Sequence, residues 1–104
     1  MTRIRFTQAI VQLLIEMIDA QESPIIDWVK RSAMEQAHLY KAGRSKCDGI
    51  IKRSAHQRAC AMDIYFINDK NEVAPPIKGF EYWHKRWAEL GGKPMIEWDK
   101  NHFE

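Results

Sequence analysis

Partway along this chain the spacing of apolar residues switches from helical to alternating, and that switch requires a fold with both helix and sheet. From Thr7 to about Ala20, with Phe6 leading in, Ile10, Leu13, Leu14, Met17 and Ile18 recur at helical spacing and predict one buried stripe. Between Cys60 and Ile67 the pattern has a period of two. Cys60, Met62, Ile64 and Phe66 alternate with Ala61, Asp63, Tyr65 and Ile67, which predicts a central strand with Asp63 on one face.

The punctuation between these segments supplies the remaining elements. Ser23-Pro24 breaks the chain, and Ile25 to Lys30 reads as a short strand leading to Arg31. Ser32 and Glu35 form a capping-box signature for a second helix that closes at Gly43. Residues 43 to 55 lack periodicity and read as a surface loop. Asn68-Asp69-Lys70-Asn71 is a turn signal, and Pro75-Pro76 marks a loop. Phe80 to Leu90 reads as a third helix with Phe80, Trp83, Trp87 and Leu90 on one side, ended by Gly91-Gly92. Pro94 to Trp98 reads as a last strand. About three helices around a small, mainly antiparallel sheet make an α+β domain, and the 104 residues form a single domain, 1–104, with no repeat or low-complexity tract.

Composition excludes several classes. A formal charge of +2 is too small for the concentrated basic stripe expected of a nucleic-acid binder. Gln8, Gln12, Glu16 and Asp19 interrupt the first apolar stretch, so it reads as an amphipathic helix and neither a signal peptide nor a membrane span. Cys47 and Cys60 stand thirteen apart without a C-x-x-C pair, which favours two free thiols. Asp69, Asn71 and Glu72 lack the twelve-residue ligand series of a calcium loop. His38 and His84 lie on predicted helices without acidic partners at ligand spacing and read as exposed or locally hydrogen-bonded. Four tryptophans in a small domain read mainly as core, Trp98 being the exception because it adjoins Asp99.

Two segments carry residues suited to metal chemistry. His56 and Asp63 are seven apart, and Asp99 and His102 are three apart, so three ligands and one further carboxylate could converge. A hydrolytic zinc takes three protein ligands and keeps a fourth position for water, whose pKa it lowers. His56, Asp63 and His102 would be the ligands, and Asp99 would accept the proton from the water. Spacing alone does not separate this arrangement from surface histidines and solvated aspartates, which recur by chance in a polar chain.

Three motifs in order strengthen it. Ser54, His56, Ala61 and Asp63 match S-x-H-x-x-G-x-A-x-D, with Ala59 standing where that pattern has Gly. Asp99, His102, Phe103 and Glu104 match D-x-x-H-F-E, and Arg31-Ser32, Glu35-Gln36, Leu39-Tyr40 and Gly43-Arg44 match R-[ST]-x-x-E-Q-x-x-L-Y-x-x-G-R. Over about residues 30 to 104 the chain resembles the D-alanyl-D-alanine carboxypeptidase and L-alanyl-D-glutamate endopeptidase family of zinc peptidases, which includes phage endolysins.

That resemblance implies a hedgehog/DD-peptidase-like fold, one Zn2+ ion, and hydrolysis of the peptide stem of bacterial peptidoglycan. It gives Arg31 a role in contacting substrate and the developing oxyanion, and leaves Ser54, Trp98 and Glu104 to shape the ligand loop, contact substrate or orient His102. A phage-type endopeptidase is the first expectation. A D-Ala-D-Ala carboxypeptidase and an inactive zinc-containing wall-binding module are the alternatives. The expected partner is the stem peptide, with no nucleic acid and no membrane span, and the expected state is a monomer. The expected setting is synthesis in the cytoplasm without a signal peptide, followed by action on the cell wall after release.

Overall fold

The computed structural model describes residues 1–27, 41 and 60–104. Along them run helix α1 (Arg3–Asp19), strands β1 (Pro24–Ile26) and β2 (Met62–Phe66), helix α2 (Phe80–Glu89) and strand β3 (His102–Phe103). Of the expected helix over Ser32 to Gly43 only Lys41 is among the described residues, and it is helical; beside it they hold two complete helices and one sheet. The sheet order is β1-β2-β3 and both pairings are antiparallel. The domain is therefore α+β, and β2 is central, as its alternation requires.

Helix α1 begins at Arg3, earlier than the apolar spacing indicates, because Thr2 is its cap: the Thr2 hydroxyl accepts the Arg5 backbone N–H at 3.2 Å. Phe6, Ala9, Ile10, Leu13 and Met17 form its buried stripe. Ile18 does not belong to that stripe. One residue past Met17 the helix has turned about 100°, which leaves Ile18 60% exposed.

On β2, Met62, Ile64 and Phe66 are buried while Tyr65 faces out. Helix α2 places Trp83 and Trp87 against this layer. Trp87 meets Phe6 edge-on at 5.7 Å between centroids and Phe103 at 6.4 Å. At the opposite flank, Arg86 of α2 makes two hydrogen bonds to the Glu16 carboxylate of α1, at 2.6 and 2.8 Å. Both contacts hold α1 and α2 in fixed relation to the sheet.

Pro94 to Trp98 is not a strand. Pro94 has no N–H to give a ladder, and the chain closes a turn in which the Asp99 N–H donates to the Ile96 carbonyl at 3.0 Å. The last strand instead comes four residues later, pairing Met62 with Phe103 and Asp63 with His102. On the N-terminal side the expected strand from Ile25 is shorter and starts one residue earlier, and residues 28–30 lie outside the described residues.

Candidate functional site

The β2–β3 pairing sets the geometry. Cross-strand partners have their side chains on the same face of a sheet, so the Asp63–His102 register brings that carboxylate and that imidazole together. Asp63 Oδ1 lies 3.5 Å from His102 Nδ1. On the other edge of the ring, Glu104 Oε1 lies 3.1 Å from Nε2. Lys93 Nζ holds the second oxygen of Glu104 at 2.8 Å, and the Lys93 N–H donates to the Glu104 carbonyl at 2.7 Å.

Burial of His102 disfavours its charged form, but Asp63 and Glu104, with Asp99 at longer range, outweigh it and raise the pKa above the ordinary imidazole value. Burial also acts to raise the Glu104 pKa, and Lys93 and His102 overcome it and hold the carboxyl below its usual range. The imidazolium form suits this setting because it donates from both nitrogens, one toward each carboxylate.

Asp99 sits in the turn before β3, where its carbonyl accepts the His102 N–H at 3.1 Å. Trp98 beside it is 72% exposed. Asn101 straps the turn to β2, accepting the Ile64 N–H and donating its side-chain amide to the Ile64 carbonyl, each at 2.8 Å. Spacing in the sequence gives no sign of that strap.

His84 also has a part that its sequence position does not reveal. It is buried, stacks on Phe103 at 4.0 Å with the rings 5° from parallel, and its Nε2–H donates to the Lys100 carbonyl at 2.7 Å. Burial pushes its pKa down, so it is a neutral wedge under the turn that carries Asp99. The available signal was its place between Trp83 and Trp87, which face inward.

Of the residues singled out in the sequence, Asp63, His102 and Glu104 come together, Asp99 and Trp98 flank them, and Arg31, Ser54 and His56 lie outside the described residues. The Cys60 thiol lies 3.6 Å from the Met1 carbonyl oxygen. Among the described residues no group of three or more His, Cys, Asp or Glu side chains is placed to hold a metal ion.

No family model matches the chain, and no curated protein or solved structure does. The expected membership of the zinc peptidase family is therefore corrected. With it go the Zn2+ ion, the metallopeptidase and endolysin assignment, the carboxypeptidase alternative and the zinc-containing wall module. No described helix is long and apolar enough to cross a membrane.

Proposed function

We propose that the β2–β3 site recognises a peptide through a protonated amine, of the kind that the stem peptide of bacterial peptidoglycan presents, and that this contact takes place at the cell wall. Charge supports the reading. Asp63 and Glu104 face the two nitrogens of His102, and Asp99 acts on the same ring at longer range, so the site gathers carboxylates. Carboxylates gathered in this way favour an ammonium ligand. The exposed indole of Trp98, next to Asp99, offers a face to the same cation and to the peptide that carries it.

The single observation that carries the proposal is the clamping of His102 between two carboxylates. It holds Asp63 and Glu104 in place and ties their charge to the protonation of one ring. The test is titration of a purified stem peptide into the protein, followed by amide and imidazole NMR shifts, beside the same peptide with its amines acetylated. Shifts centred on His102 and Trp98 that need the free amine, and that weaken about tenfold in Asp99→Asn as one partly exposed charge pair is lost, are expected. Equal response to both peptides, or shifts elsewhere only, would refute the assignment.

A further inference from the structure

At the end of β2 opposite the one that meets His102, a cleft of about 200 Å³ opens between the segment after α1, the turn after β2 and the loop before α2. Glu22, Phe66, Asp69, Pro75 and Ile77 are among the residues that line it. Glu22 is deeply buried, and its three hydrogen bonds all come from N–H donors: the backbones of Ile77 and Lys78 and the indole of Trp83. Three N–H donors call for the ionised, acceptor-only form of the carboxyl group.

None of those donors is a cation. Lys78 gives Glu22 only its backbone N–H and lays its ammonium over the Tyr82 ring, 4.8 Å from the centroid. Among the described residues that line the cleft there is no lysine, arginine or histidine, while Asp69 adds a second carboxylate from an exposed turn. The hydrogen bonds satisfy the oxygens of Glu22 but leave its net charge unmatched, and a buried charge without a counter-charge is costly. A cation entering the cleft relieves that cost. The three donors also fix the carboxylate in one orientation beforehand, so little ordering remains to be done on binding.

Volume and wall chemistry narrow the cation. At about 30 Å³ for each water, the cleft holds about six or seven waters, which exceeds the need of a bare ion and is close to the roughly seven non-hydrogen atoms of an arginine side chain. Phe66, Pro75 and Ile77 supply apolar wall for the methylene stem. A guanidinium gives up its water more readily than an ammonium does, which suits a buried carboxylate.

We propose that this cleft binds an arginine side chain of a partner polypeptide, with buried Glu22 holding the guanidinium and exposed Asp69 attracting it from the mouth. The site is separate from the β2–β3 site and does not rest on the function proposed there.

The test is titration of N-acetyl-L-arginine amide, whose blocked termini carry no amine, into the full chain. NMR follows the Ile77 and Lys78 amides and the Trp83 indole N–H, the three groups that report on Glu22. The arginine probe is expected to shift all three with a Kd of about 1 to 10 mM. N-acetyl-L-lysine amide should need about threefold more, and N-acetyl-L-citrulline amide, which keeps the shape and lacks the charge, should leave them in place. Glu22→Gln should abolish binding but also weakens the fold. Asp69→Lys, in an exposed turn, should leave the unfolding midpoint unchanged and weaken binding more than about tenfold. Equal shifts from arginine and citrulline, lysine binding as tight as arginine, shifts confined to His102 and Trp98, no shift up to about 50 mM, or unchanged binding in Asp69→Lys would each overturn the proposal.

Discussion

Trp87 of α2 donates its indole N–H to the backbone carbonyl of Glu104 at 3.1 Å, so one core side chain reaches the residue that holds His102. The same indole is packed over Gly92, where a Cβ would lie 2.0 Å from Nε1. The helix ends through Gly91, whose φ of 104° suits glycine, and the Gly92 N–H then returns to the Trp87 carbonyl at 2.9 Å. Core packing and site geometry meet at this corner.

Gly92→Ala is accordingly expected to destabilise the fold by about 3 kcal/mol, the upper range for forcing atoms into a packed interior. Because Trp87 must move, the Glu104 carbonyl loses its donor. Chemical denaturation measures the first effect, and loss of the His102–Glu104 contact in the imidazole NMR spectrum measures the second. A variant of wild-type stability would show that the indole does not bear on Gly92.

Glu22 follows α1, is 6% exposed, and accepts three hydrogen bonds: from the Trp83 indole at 2.7 Å and from the backbone N–H groups of Ile77 and Lys78 at 2.7 and 3.1 Å. Removing the carboxylate strands three donors, at least one of them deeply buried. Glu22→Ala should cost about 3 to 5 kcal/mol. Glu22→Gln should cost roughly half as much, since the amide oxygen replaces one acceptor while its NH2 opposes a remaining donor. Urea unfolding monitored by tryptophan fluorescence separates the two.

The sequence made some of this structure legible and hid the rest for physical reasons. The alternation from Cys60 to Ile67 shows β2 because a strand with one buried face has no other way to be written, and Trp83 and Trp87 mark the inner side of α2. Pro94, Met95, Ile96 and Trp98 look like a strand on composition, but strand pairing depends on partners far away in sequence, and here the chain turns at Asp99 instead. Ile18 and Ile15 carry the same hydrophobicity as Ile10, and only the direction of the core decides which is covered. Asp63 and His102, expected as zinc ligands, and Glu104, expected to orient His102, lie together, yet spacing says nothing about which atoms of a histidine face which carboxylates, so it could not reveal the His102 clamp. Asn101 and His84 escaped because their roles are to backbone carbonyls, which every residue has.

The Arg86–Glu16 pair ties α2 to α1, and it gives stability an acid limb. Hydrogen bonds from Arg86 and then Gln12 hold the Glu16 carboxyl down to about 2 against a small opposing effect of burial. A depressed carboxylate pKa contributes stability that is present above about 4.5 and is lost as pH falls toward 2. Thermal melts of Glu16→Gln should therefore fall below wild type at neutral pH and converge with it near the acid end. A constant gap across that range would mean that the pair contributes through packing alone.

His102 gives the opposite limb and couples it to binding. Its folded pKa is raised, so the stability it contributes is fully present below its unfolded value, about 6.5, and is lost as pH rises through the folded value. Glu104→Gln removes one of the three raising carboxylates, so the His102 titration followed by its ring-proton NMR shift should move to lower pH, and the fold should lose about 1 kcal/mol at pH 6, in line with one partly exposed ion pair. Deprotonation also removes the positive charge that faces Asp63 and Glu104. If the site receives a protonated amine, its affinity should therefore rise with pH through the His102 transition, by about tenfold, and stay high until the amine itself loses its proton. An affinity that falls across that transition would show that the protonated ring attracts the ligand, and that the ligand is an anion.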